Sequence, residues 1–258
     1  MKENKKIGIV GLGKMGSTIA RMLSKAGYDV SGYDLSEIKL PQKIAVKLTF
    51  SELLKDDQPL ILAVKPAQIN AVASIITDNR LIISIAAGVG IEQLNEFRNV
   101  KGPTIRAMPN TPLISGHGVT VLYAAEDCTE TAKKEALELF KTGGEAFFIE
   151  NQNWMHAITA ISGSGPAFIE LILQTIEDAG VYLGLPRDIA RKLVLETTAG
   201  TTHMIKKSQK APQDHIHDVT SPAGTTIAGL KALKDYSVER GIWRAIVQAA
   251  ERSRQLGS

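Results

Sequence analysis

Gly11-Leu12-Gly13-Lys14-Met15-Gly16 directly follows the apolar run Ile7–Val10 and opens an amphipathic stretch, Ser17–Lys25. Three glycines at this spacing, between a strand and a helix, suit the binding of a dinucleotide pyrophosphate. Gly11 permits a tight turn, Gly13 lets phosphate approach the backbone, and Gly16 lets the helix pack close to the strand. Free N–H groups at the helix start, around Lys14 and Met15, then hold the anion. A glycine-rich turn without a ligand is the competing reading, and the place of the motif in a strand–helix–strand unit weighs against it.

Asp34 ends the next apolar run, 18 positions beyond Gly16. A carboxylate there can accept hydrogen bonds from both ribose hydroxyls and would repel a 2′-phosphate, which favours NADH over NADPH. It can equally cap a turn at Ser36, so both uses stay open. Two further segments follow strand-like runs, where ligands bind in open α/β sheets: Val64-Lys65-Pro66 and Ile85-Ala86-Ala87-Gly88-Val89. Ala86, Ala87 and Gly88 are small enough for a flat ring to come close, and Lys65 can meet phosphate or ribose, or simply be solvated. Near the end of the chain, Val219–Leu230 combines a Pro-anchored turn at Ser221-Pro222, a flexible Gly224 and two hydroxyls, Thr225 and Thr226, just before an apolar helical run. This is an anion-binding helix start or an elaborate N-cap.

The remaining composition narrows the field. With 258 residues, 44% hydrophobic and 22% charged, the chain is ordinary globular material with room for two domains. A net charge of +3 on dispersed Lys and Arg suits anionic metabolites and offers no basic patch for nucleic acid. Cys128 is the only cysteine, and no Cys/His grouping has zinc-ligand spacing, so no disulfide and no metal are expected. Lys5-Lys6 leads straight into Ile7–Val10, too short for a signal core, and no apolar run approaches the ~20 residues of a membrane helix. These readings place the protein in the cytoplasm, away from membranes. His203, His215 and His217 fall near helix ends, and neither half offers a clear His–carboxylate pair for acid–base work.

The elements that must position these residues follow from the hydrophobic pattern. Ile7–Val10, Val30–Tyr33, Leu60–Val64, Leu81–Ile85, Thr104–Met108, Val119–Tyr123 and Phe147–Ile149 alternate with amphipathic stretches, which predicts an α/β, Rossmann-type doubly wound sheet over residues 1–152. Pro41 leaves too little chain between Leu35 and Ser51 for a full crossover helix, so the second crossover is abbreviated. From Asn153 the alternation gives way to long helical patterns, broken at Gly163-Ser164-Gly165-Pro166, Gly184-Leu185-Pro186, Lys210-Ala211-Pro212 and Ser221-Pro222. Residues 153–258 therefore form an all-helical domain. Its apolar positions, such as Ile169, Ile172, Ile176 and Leu193, recur at helical spacing and exceed what so short a unit can cover, which points to a core shared with a second copy of the chain.

Taken together, Gly11–Gly16, Val64-Lys65-Pro66, Ser84–Val89, Arg106–Pro112, Ser162–Ala167 and Asp218–Leu230 make the sequence resemble the Δ1-pyrroline-5-carboxylate reductases over almost its whole length. The resemblance implies NAD(P)H-dependent reduction of the cyclic imine 1-pyrroline-5-carboxylate to L-proline, with family habit towards NADPH. It further implies an obligate homodimer, or a multiple of dimers, with interleaved helical domains that bind substrate. The family's turn before the last conserved helix holds the substrate carboxylate, which maps onto Gly224, Thr225 and Thr226 with Ser221 beside them. The threonine matching Thr226 hydrogen-bonds the ring nitrogen. Ala223 replaces the first of a glycine pair, and Gln152 and Gln209 stand where glutamates often occur. A β-hydroxyacid dehydrogenase would instead use a lysine on the first long helix of the second domain, and Ala167–Gln174 carries none. A non-catalytic dinucleotide sensor on the same scaffold is the other alternative, opposed by the intact Thr225-Thr226 turn.

Overall fold

The computed structural model describes residues 5–98, 100–208 and 210–256. Strands β1 (Lys6–Val10), β2 (Asp29–Tyr33), β3 (Ala45–Val46), β4 (Leu60–Leu62), β5 (Ile82–Ser84), β6 (Thr104–Met108), β7 (Gly118–Ala124) and β8 (Gly144–Phe148) form one sheet in the order β3-β2-β1-β4-β5-β6-β7-β8. Every neighbouring pair is parallel except β6–β7. The chain begins in the middle, runs outward through β2 to β3, then returns to the other side of β1. The strand order therefore reverses between β1 and β4, and the carboxyl ends of these strands frame the crevice where such sheets bind ligands.

Burial on both faces explains why the strands read as near-continuous apolar runs. Helices α1 (Lys14–Lys25) and α5 (Glu130–Lys141) cover one face, packing Ile19, Leu23, Ala136 and Phe140 with Ile7, Ile9 and Leu122. Helices α2 (Phe50–Leu54), α3 (Ile69–Ala73) and α4 (Ile91–Phe97) cover the other, packing Leu53, Ile69 and Leu94 with Leu60, Leu62 and Ile82. The doubly wound expectation holds, and so does the abbreviated crossover: among the described residues no helix lies between β2 and β3. Ile44 instead donates to the Pro41 carbonyl in a turn.

The chain divides into two compact units, Met1–Pro166 with Val247–Ser258, and Ala167–Ile246. The expected change at residue 152 marks a change of texture, but packing divides the chain later. Helix α6 (Met155–Ile158) and the π-helical turn Thr159–Gly163 still belong with the sheet. Met155 and Ala160 are buried there, and His156 Nδ1 lies 3.1 Å from Ser253 Oγ in the returning end of the last helix.

The second unit is built from α7 (Gly165–Tyr182), α8 (Arg187–Ser208), α9 (Pro212–Asp218), α10 (Thr225–Asp235) and most of α11 (Val238–Gln255). Gly184, at φ +95°, turns the chain between α7 and α8. Glu177 fastens the pair, accepting from Arg187 Nη1 at 2.9 Å and from Arg191 Nε and Nη2 at 2.9 and 3.0 Å. One expectation is corrected here. The helical stretch Gln152–Tyr182 spans 31 residues and holds an 18-residue window of mean hydropathy 1.2, long and apolar enough by length and composition to cross a membrane. The break expected at Gly163-Ser164-Gly165-Pro166 falls where the π-helical turn ends at Gly163, Ser164 forms a bend and α7 begins at Gly165, with Pro166 in its second position, where a missing N–H costs nothing.

Candidate functional site

The glycine turn has the geometry its spacing demands. Gly11 sits at φ +91°, and a Cβ there would fall 2.8 Å from the Ala63 carbonyl carbon. A Cβ on Gly16 would collide with the Gly11 carbonyl, so glycine is required for α1 to lie so close to β1. Around Gly13 the equivalent space is open, with nothing within 4 Å. Gly13 is also the N-cap of α1 and supplies no side-chain cap, and no acidic residue occupies the first turn. The first N–H groups of α1, at Lys14, Met15 and Gly16, are therefore available to an anion.

Asp34 is committed to the backbone on both oxygens. Oδ2 accepts from Leu12 N–H at 2.6 Å and Oδ1 from Ser36 N–H at 2.9 Å. The turn-capping use is thus present, and a second one appears that spacing did not suggest: the carboxylate clamps the glycine loop itself. Each oxygen keeps a further lone pair, so a ribose hydroxyl can still donate to it.

A cleft of about 510 Å³ opens at the switch point, and Gly11, Gly13, Asp34, Val64 and Lys65 line it together. Of the other expected cofactor residues, Lys14, Met15, Gly16, Pro66, Ala86 and Ala87 lie outside this lining. Pro66 begins the short helix Pro66–Gln68, and Ala86 and Ala87 follow β5, whose Ser84 pairs with Leu62 of β4. Sequence reasoning missed Tyr33 and Phe50, which stack with ring centroids 5.7 Å apart on the wall of the cleft, and Val72 and Ile75. No motif marks these four. Phe50 is legible only as the first residue after Thr49, which caps α2 by accepting from Glu52 N–H.

The threonine turn lies at the start of α10. Gly224 is its N-cap, with no side-chain cap, and Gly224 N–H donates to the Ser221 carbonyl at 3.1 Å. A Cβ on Gly224 would collide with Ser221 Oγ. Among the described residues, neither Thr225 nor Thr226 makes a side-chain hydrogen bond, although Thr226 is half-buried. The elaborate N-cap considered for this segment is therefore not what the hydroxyls do. Ala223 stands at φ 58°, the left-handed region that glycine adopts freely. Gln209 lies outside the described residues.

Comparison with known proteins now bears on this geometry. A family model described as pyrroline-5-carboxylate reductase dimerisation matches residues 152–256, and one described as NADP oxidoreductase, coenzyme F420-dependent, matches residues 6–88. The pyrroline-5-carboxylate reductase of Methanosarcina acetivorans is 33% identical over 268 residues, covering 99% of each chain. That of Synechocystis is 34% identical, covering 97% of this chain and 98% of its own. The chain belongs to the pyrroline-5-carboxylate reductase family. The crystal structure of a Plasmodium falciparum pyrroline carboxylate reductase with NADP bound matches the same fold with a TM-score of 0.93, at 32% identity and 99% coverage of each chain. The relatives and the neighbouring structure thus cover both units of the chain.

Proposed function

We propose that this protein reduces 1-pyrroline-5-carboxylate to L-proline with a reduced nicotinamide dinucleotide, the last step of proline synthesis. The observation that carries this reading is the free Thr226 hydroxyl at the uncapped start of α10, in a chain that matches pyrroline-5-carboxylate reductases end to end. Bound in the switch-point cleft, the nicotinamide supplies hydride. The residues fit such a group: Gly13 leaves open space, the first N–H groups of α1 are left uncapped by any side chain, and Lys65 stands exposed in the cleft lining. On the substrate side, the first N–H groups of α10 hold the carboxylate, and the Thr226 oxygen accepts from the protonated ring nitrogen. No strong side-chain acid is required if the imine binds protonated, which suits a turn built from hydroxyls and backbone. Catalysis is then mostly positioning, which can lower a barrier by roughly 7–11 kcal/mol at the extreme.

The working form in this reading is a homodimer or a multiple of it, acting in the cytoplasm, where reduced cofactor is supplied. Support for the dimer comes from the apolar residues that the helical unit leaves exposed, among them Ile169, Ile176, Leu193 and Trp243. Cofactor choice leans towards NADH through Asp34, whose charge opposes a 2′-phosphate. The test is to follow oxidation of NADH and NADPH with pyrroline-5-carboxylate while measuring proline formed. Equimolar proline is expected; no substrate-dependent oxidation would overturn the reading. In the same assay Asp34→Ser should shift the NADH:NADPH preference towards NADPH, by tenfold for each ~1.4 kcal/mol. A wild type with strong NADPH preference would leave Asp34 only its backbone contacts to Leu12 and Ser36.

A further inference from the structure

The side-chain amide of Gln152 sits at the end of the loop that follows β5. Its Oε1 accepts from Ile91 N–H at 2.7 Å, the first N–H of α4, whose N-cap Gly90 has no side chain to offer. The same oxygen accepts from Arg106 Nη1 at 3.2 Å, and Nε2 donates to both oxygens of Glu92 at 3.1 and 2.9 Å. Arg106 is buried, and desolvation pulls its pKa down to about 10. Among the described residues its hydrogen-bonding partner is Gln152, with no ion pair. The start of the loop is held separately. Ile85 N–H donates to the Leu62 carbonyl at 3.0 Å, and Ala86 N–H to Ser84 Oγ at 3.3 Å. Between the two anchors lie Ala86, Ala87 and Gly88, the last at φ +86°.

We infer that Gln152 is a positioning residue for cofactor binding: by holding Ile91 it fixes the far end of the 85–90 loop and so sets where Ala86 and Ala87 stand against the nicotinamide ring. The inference rests on the proposed function for the presence of that ring. An amide fits this place because its oxygen must accept from both Ile91 and Arg106 while its nitrogen donates to the Glu92 carboxylate. Glutamate would keep both acceptor contacts and pair with Arg106, while the exposed Glu92 side chain turns to solvent. Leucine would keep neither contact.

The experiment measures binding of NADH and NADPH to the full-length protein by nicotinamide fluorescence without substrate, alongside KM for pyrroline-5-carboxylate at saturating cofactor. Gln152→Leu is expected to weaken cofactor binding about three- to tenfold, the worth of one or two lost hydrogen bonds, with substrate KM changed less than about twofold. Gln152→Glu is expected to bind cofactor like the wild type. A merely structural role would lower the melting temperature of Gln152→Leu yet leave cofactor affinity of the folded protein intact, and that result overturns the inference. So does equal weakening of cofactor and substrate, or a glutamate variant as impaired as the leucine one. Should the leucine variant not fold, Gln152→Asn, one methylene short of Ile91, must show the same split, and full cofactor affinity in it is equally fatal. Binding is read without substrate, so an absence of pyrroline-5-carboxylate turnover would count against the proposed function separately.

Discussion

Ile7, Ile9, Leu23, Leu60 and Phe140 are fully buried in the sheet-bearing unit, whereas among the described residues of 167–246 only Glu177, Ala190 and Val194 are buried. One of those three is a carboxylate whose burial is balanced by Arg187 and Arg191 rather than by apolar contact. Ordering a residue costs roughly 1–2 kcal/mol of backbone entropy, which only removal of apolar surface from water can offset on this scale. The sheet unit meets that cost from within. The helical unit does not, and its exposed Ile169, Ile172, Ile176 and Leu193 are what a second chain would have to cover. In the proposed reaction the cofactor turn rests on a self-sufficient core, and the Thr226 turn on helices that leave their apolar side chains exposed.

The sharpest way to break this contrast is to deny the helices a second chain. Ile172→Asp, paired with Ile176→Asp one turn on, places two charges on the exposed face of α7 without touching the sheet core. Sedimentation should show the wild type as a dimer or a multiple of it. The double variant should lose that state, its activity and much of its helical circular dichroism, while retaining a folded sheet unit. A wild type that stays monomeric and active at micromolar concentration would remove the contrast altogether.

A smaller effect, confined to chemistry, is expected at Thr226. Thr226→Val keeps the shape and removes the hydroxyl, which should cost about 1.5–3 kcal/mol, some ten- to a hundredfold in kcat/KM. Thr226→Ser should retain most activity. Because Gly224, not Thr226, caps α10 and no cap bond is lost, the melting temperature of the valine variant should stay close to wild type. Unchanged catalysis in Thr226→Val would take the residue out of the mechanism, and a large loss of stability would return it to a structural role.

The same contrast governs how much could be read before the structure. Buried parallel strands announce themselves as Ile, Val and Leu runs, so β1, β2 and β6 fall where the pattern puts them, and the glycine turn is local enough to be legible whole. β3 is not, because Ala45–Val46 is a strand only through pairing with Ser31 and Gly32. β8 begins at Gly144, earlier than its aromatic residues suggest, since Gly144 pairs with Gly118. Non-local contacts hid the Asp34 clamp on Leu12 and the Gln152 contact with Ile91, which join residues distant in sequence. In the helical half the exposed apolar spacing was legible, and so was the change at Gly163–Pro166, where α7 begins with a proline in its first turn.

The smallest expected effect compares two strained residues within the helical unit. Ala223 and Ser237 are the non-glycine residues at positive φ among those described, at 58° and 54°. An L-residue pays roughly 1–2 kcal/mol in this region, which glycine avoids, although glycine also raises the entropy of the unfolded chain and returns about 0.4–1 kcal/mol of that gain. Ala223→Gly and Ser237→Gly should therefore each stabilise the protein by about 0.5–1 kcal/mol, visible as a modest rise in melting temperature at fixed protein concentration. Ser237 lies at the junction of α10 and α11, away from the Ser221–Thr226 turn, so its variant should leave KM for substrate unchanged. If the strain at Ala223 holds the turn ready for the carboxylate, its glycine variant should be more stable yet bind substrate a fewfold more weakly. Equal KM in both variants would show that the alanine is tolerated strain with no catalytic purpose, and a destabilised Ala223→Gly would contradict the left-handed geometry on which the comparison stands.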